Sequence, residues 1–254
     1  MTRNLIILSI MVANTAVAQL KKVDYKDNTQ VLSGISVTPK KAMANKPGVL
    51  ILPAWKGIDE HSQEVATELA AMGYYVFVAD IYGVDKRPKD GKEAGEKSSY
   101  YKTNITEYQK RISLALAELV KQGANAENIA VIGYCFGGTG ALEAARVNMK
   151  VKGVVSFHGG LSRDASREIK DIAPKVLVLH GADDPYVSEK DIKDFQNEMR
   201  TAKADWQMNY YADAVHAFTE KSAGNDNSKG AAYNELADKR SWEAMKLFFK
   251  EILK

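Results

Sequence analysis

Cysteine is nearly absent from this chain: Cys135 is the only one among 254 residues. A single thiol cannot close an internal disulfide, so the fold must stand on its hydrophobic core. Metal and nucleotide signatures are missing too. There is no CxxC, no HExxH and no GxGxxG after a strand, so neither a metal nor an organic cofactor is expected. Charge of one sign is also lacking. The 35 basic residues face 32 acidic ones, for a net charge of +3. Without a long basic block, nothing favours nucleic acid or an anionic membrane surface as partner. No internal repeat or low-complexity tract interrupts the sequence.

Long apolar runs are scarce as well. The best candidate is the opening, MTRNLIILSIMVANTAVAQL. Arg3 supplies a short positive region, Leu5 to Val12 is mostly apolar, and Ala16-Val17-Ala18 forms an A-x-A cleavage pattern. The stretch is too short and too weakly flanked for a retained transmembrane helix. It reads as a secretory signal peptide over 1–18, cut before Gln19. No cysteine follows the cut, so no lipid anchor is expected there. The expectation is an exported protein, periplasmic or secreted, without stable membrane association. A lone thiol in an oxidising compartment is a liability unless it is buried or useful.

What remains, residues 19–254, is long enough for a single α/β domain. Its composition, 45% hydrophobic and 26% charged, is ordinary for a globule. Five β-branched runs are almost wholly apolar: GVLILP (48–53), YYVFVAD (74–80), NIAVIGY (128–134), GVVSFHG (153–159) and KVLVLHG (175–181). Strands covered on both faces read this way. QVLSGISVTP (30–39) and WQMNYYADA (206–214) alternate more and are expected at the sheet edges. Helical spacing recurs between the strands, near 60–72, at 105–119, around Ile192, Phe195 and Met199, and from Trp242 to Ile252. The class is therefore α/β, with a mostly parallel central sheet. The polar stretch 83–104 has little periodicity. It is expected to be a solvated loop, or a mobile cover over a site.

The densest chemistry lies at IAVIGYCFGGTGALEAARV (129–147). Gly133-Tyr134-Cys135-Phe136-Gly137 has the form G-x-S-x-G with cysteine for serine, between a strand and a helix. A nucleophile on so sharp a turn needs strained backbone angles, and flanking glycines leave room for the neighbouring chain. The N–H of Phe136 would then point at a developing oxyanion, and the helix N-terminus would favour thiolate. The alternative is a buried structural cysteine among packing glycines.

A nucleophile needs a base, and the base needs an orienter. In HGADDPYV, Asp184 precedes proline and stands three before Val187. It is preferred to its neighbour Asp183. His216 follows the last strand in YADAVHAF. The order Cys135, Asp184, His216 fits a nucleophile–acid–histidine triad. Among the other histidines, His180 is expected to be a satisfied core residue, His61 to be exposed on the first helix, and His158 to line the pocket with Tyr82. A second oxyanion donor is expected near Trp55, in the loop after GVLILP.

These segments together, with ILPAWKGIDEH, GYYVFVADIYG and AAYNELADKRSWEAMKLFF, resemble the dienelactone hydrolase family over nearly all of 19–254. The resemblance implies the α/β-hydrolase fold, with helices on both faces of the sheet. It implies Cys135 as nucleophile, His216 as base, Asp184 as orienter, and the backbone amides of Trp55 and Phe136 as oxyanion hole. Members often carry a glutamate where this chain has Ala54. Members that act on dienelactone use two arginines, where this chain has Val84 and Glu220. A carboxylate-bearing lactone would lose both cations and meet a negative charge instead.

The expected activity is hydrolysis of carboxylic esters or lactones, with thioesters also compatible, through an acyl-cysteine. The partner is then a small molecule, and the protein a monomer or small homo-oligomer. Two rivals remain open at this level. One is a non-catalytic binding protein on a degenerate hydrolase scaffold. The other is a redox-sensing thiol, which the lack of a resolving cysteine weakens.

Overall fold

The computed structural model describes residues 19–254; the expected signal peptide lies outside them. Among the described residues, one eight-stranded sheet runs through the fold. Its strands are β1 (Leu20–Asp27), β2 (Gln30–Val37), β3 (Gly48–Leu52), β4 (Tyr75–Val78), β5 (Ile129–Tyr134), β6 (Gly153–Phe157), β7 (Lys175–Gly181) and β8 (Trp206–Tyr211). The spatial order is β1-β2-β4-β3-β5-β6-β7-β8. The pairs β1/β2 and β2/β4 are antiparallel and all others parallel.

The five apolar runs form the five inner parallel strands. Successive residues serve opposite faces, so each run feeds two cores. Leu50 and Leu52 pack into one, Val49 and Ile51 into the other. Helices α3 (Ile105–Lys121), α4 (Phe136–Arg146) and α5 (Glu189–Thr201) cover the first face. Helices α1 (Glu60–Ala71) and α6 (Glu235–Ile252) cover the second. Capping chemistry starts several of them. Asp59 and Ser62 form a reciprocal capping box on α1, Ser188 and Asp191 another on α5, and the Asn234 side chain accepts from Ala237 N–H on α6.

Two sequence expectations change. The run 30–39 is not an edge strand. A polar strand, β1, pairs with it through a two-residue turn in which Asn28 has φ 52°. Sequence LKKVDYKD hides this strand, because only Tyr25 and Asp27 are buried. The stretch 83–104 is not a loop throughout. Gly91–Thr103 is a helix, α2, whose N-cap Asp90 accepts from Glu93 N–H at 2.9 Å. It buries Ala94, Ser98 and Tyr101, which have helical spacing but only one large apolar member. The preceding loop is organised by Asp80. Its buried carboxylate accepts from the N–H groups of Ser33, Tyr82 and Gly83 and from Arg87.

Candidate active site

The turn from β5 into α4 is as tight as the motif requires. Cys135 sits at φ 54°, ψ −112° as the N-cap of α4, a conformation that non-glycine residues hold only at a cost of about 1–3 kcal/mol. A Cβ on Gly133 would lie 1.9 Å from the Gly137 carbonyl oxygen, and one on Gly137 would lie 2.0 Å from that of Leu52. The start of α4 therefore rests directly on the end of β3. This contact brings Phe136 beside the loop that carries Trp55. Among the described residues, the N–H groups of Trp55 and Phe136 have no protein acceptor.

Two tyrosines hold these backbones. Tyr82 Oη donates to the Trp55 carbonyl at 2.6 Å, and Tyr108 Oη donates to the Phe136 carbonyl at 3.0 Å. Their rings sandwich Phe136, with centroids 5.9 Å and 4.5 Å away and planes nearly parallel. Tyr82 thus stands behind the two candidate donors as a wall. Trp55 packs in turn against the glycines of α2, with Gly91 and Gly95 facing its ring.

His216 Nδ1 lies 2.9 Å from Asp184 Oδ2. Asp184 has a wholly buried side chain, and its other oxygen accepts from Tyr186 N–H at 2.9 Å. Asp183 is exposed and takes no part. The two loops are tied through their backbones, Ala182 N–H to Tyr211 O and Asp183 N–H to Ala214 O. The far side of the His216 ring approaches the Cys135 sulfur. Burial disfavours a charged ring, but the hydrogen bonds to Asp184 and Cys135 outweigh it. His216 is raised to about 10, a shift that favours the protonated ring.

The other histidines depart from their expected places. His158 lines no open pocket. It is fully buried, with Nδ1 accepting from Cys135 N–H at 3.2 Å and Nε2 2.9 Å from Thr219 Oγ1. His61 is half-buried, its ring edge-on to Tyr134 at 4.7 Å. His180 is buried but not satisfied: among the described residues its Nδ1 has no partner. Thr219 and Tyr108 carried no sequence signal for these contacts, which cross between separate elements.

A cleft of about 520 Å³ opens beside Trp55, lined by Ala54, Lys56, Asp59 and Glu220 among others. Burial and Asp59 push the Glu220 carboxyl up to about 7, against the opposing pull of His216. Val84 is exposed, its N–H bound to Val31 O.

A family model, that of the dienelactone hydrolase family, matches residues 32–253. The chain belongs to the dienelactone hydrolase family. It is an ester-bond hydrolase on the α/β-hydrolase fold. Among solved structures, it is similar to the dienelactone hydrolase-like promiscuous phosphotriesterase P91 from metagenomic libraries. The two are 34% identical, with a TM-score of 0.88 over 94% of this chain and 100% of that one. The protein m3DLH is 31% identical, also with a TM-score of 0.88, over 94% and 100%. A Bradyrhizobium protein named "Probable 2-oxo-3-(5-oxofuran-2-ylidene)propanoate lactonase" is 24% identical over 80% of this chain and 83% of its own.

Proposed function

We propose that this dienelactone hydrolase family member cleaves carboxylic esters or lactones through an acyl-cysteine intermediate. Cys135 is the nucleophile, His216 the base and acid, and Asp184 the group that orients it. The observation that carries this reading is the His216 ring, bonded to buried Asp184 on one side and facing the Cys135 sulfur on the other. The Cys135 thiol passes its proton to His216, the sulfur attacks the carbonyl carbon, and the C=O electron pair moves to oxygen. The N–H groups of Trp55 and Phe136 receive that oxyanion. Its collapse expels the alkoxide, which takes the proton from His216, and leaves a thioester on Cys135. Water then attacks the thioester while His216 takes its proton. The second collapse returns the thiolate and releases the acid.

Substrate class follows from the cleft. Glu220 stands where members acting on dienelactone carry an arginine, and no cation replaces it at Val84. Four carboxylates in the cleft, Asp59, Glu60, Glu64 and Glu220, outnumber its two lysines, Lys56 and Lys221, so neutral esters and lactones suit it better than carboxylate-bearing ones. A neutral phosphotriester presents a comparable polarised oxygen to the same two N–H groups. Similarity to P91 supports including one in any substrate panel. We also propose export, on the strength of the first eighteen residues; N-terminal sequencing of the protein from its own cell would read Gln19 or refute it.

Turnover of a panel of neutral and anionic esters, wild type beside Cys135→Ala, tests the mechanism. The reading expects hydrolysis of neutral esters and a loss of at least about 10³-fold in the variant. A variant as active as wild type on its best ester would remove Cys135 from the chemistry.

A further inference from the structure

His158 has no place in that mechanism, yet it touches the nucleophile more directly than any other side chain behind it. The Cys135 N–H donates to Phe157 O at 3.0 Å and to His158 Nδ1 at 3.2 Å. An Nδ1 that accepts cannot carry a proton, so the proton sits on Nε2. Nε2 then donates to Thr219 Oγ1, 2.9 Å away. The Thr219 hydroxyl also lies 3.4 Å from His61 Nε2. His61 reaches the wall of the cleft beside Trp55. A line of polar contacts thus runs from the Cys135 peptide through three side chains to the surface.

We propose that His158 is a positioning residue that holds the strained Cys135 elbow by accepting its N–H at Nδ1, and that Thr219 fixes the ring tautomer this requires. The inference rests on the acyl-cysteine reading above. Any other protonation state would fail. An Nδ1–H tautomer, or an imidazolium, would set N–H against N–H at the nucleophile. The surroundings keep the ring neutral: burial acts first, and the His216 ring, 5.2 Å away, acts in the same direction. Two neighbouring histidines are therefore shifted in opposite directions, His216 toward the charged ring and His158 toward the neutral one. His158 itself has φ 39°, so its ring is presented by strained backbone, as the nucleophile is. Its ring also packs edge-on against Phe218 at 5.1 Å, which fixes its plane.

The test separates hydrogen bonding from packing. Thr219→Val keeps the shape of the side chain and removes the hydroxyl; Thr219→Ser keeps the hydroxyl. At a temperature where circular dichroism finds both folded, Thr219→Val is expected to lower kcat about tenfold or more with KM within about twofold. Thr219→Ser is expected to stay within about threefold of wild type. In parallel, His158→Asn, which retains an acceptor near Nδ1, is expected to keep more kcat than His158→Leu. Equal kcat in Thr219→Val and wild type would overturn the inference. So would equal loss in His158→Asn and His158→Leu. Intact mass of the acylated wild type distinguishes the two levels. If Cys135 is acylated but Thr219→Val turns over normally, only the positioning role falls. If wild type never acylates Cys135, the acyl-cysteine reading falls and takes this inference with it.

Discussion

The two ends of α4 both gather charged groups, and they treat them in opposite ways. At the C-terminal end, Arg146 donates Nε and Nη2 to Glu198 at 2.9 and 2.8 Å and Nη1 to Glu143 at 2.8 Å. Nη2 also reaches Leu161 O, and Arg167 closes on the far side of Glu143. Burial opposes charge on Glu143, but Arg167 and Arg146 outweigh it and hold its carboxyl below the usual range. Glu143, Arg146 and Glu198 are buried and fully partnered, and Arg167 is half-buried. At the N-terminal end, Cys135 is only partly buried and sits at φ 54°. His216 is raised to about 10, and Glu220 is pushed up to about 7 by burial and Asp59. The comparison teaches how one helix divides its labour. Charges whose partners are complete fix α4 against α5 and the 161–167 segment. Charges whose partners are incomplete, beside open space, are available to a substrate.

The sharpest way to break that contrast is at the N-terminal end. Asp184→Asn should lower kcat by about 10²–10⁴-fold with little change in fold. The pH profile carries the sign. A folded-state value raised from 6.5 to about 10 keeps His216 charged until pH rises through about 10. The basic limb of kcat/KM should therefore lie near pH 10 in the wild type and move down in Asp184→Asn. Any stabilisation from this pair is complete below 6.5 and is lost on the same rise. A limb that stays in place would separate Asp184 from the charge on His216.

The next effect belongs to the other end. Arg146→Met should destabilise the fold by about 3 kcal/mol, since it leaves Glu143 and Glu198 buried beside a lost partner. Urea unfolding measures it, and kcat of the folded fraction should stay within about twofold of wild type. Loss of kcat without loss of stability would mean that the two ends are not separate. Smaller again is Tyr82→Phe, which frees the Trp55 carbonyl. Its kcat should fall up to about tenfold, the weight of one hydrogen bond, at nearly constant KM. Smallest is Glu220→Gln. In the wild type, KM for an anionic ester should rise as pH passes about 7, where this carboxyl gains its charge. In the variant that rise should flatten; a slope that persists would assign it to another group.

Much of this was legible in the sequence, and the reasons are physical. The inner strands were readable because residues buried on both faces leave nearly unbroken apolar runs. That Cys135, Asp184 and His216 come together was readable because a sharp turn, a pre-proline carboxylate and a loop histidine each leave local marks in a fixed chain order. Strand β1 was not readable, since it is an edge strand facing mostly solvent. Helix α2 was not, since its inward face is Ala94, Ser98 and Tyr101. His158 was placed at the pocket because a histidine ending a strand before two glycines looks exposed. It is instead folded under the elbow, where it shares the Cys135 N–H with the Phe157 carbonyl. Tyr108 bonds a carbonyl 28 residues away, and no local pattern encodes such a contact.

The most direct test of the central claim is intact mass after a brief pulse of a small activated neutral ester, wild type beside His216→Ala. A transient acyl adduct on Cys135 in the wild type, with slow or no adduct in the variant, is the predicted result. No adduct in the wild type while the ester is still turned over would contradict the account.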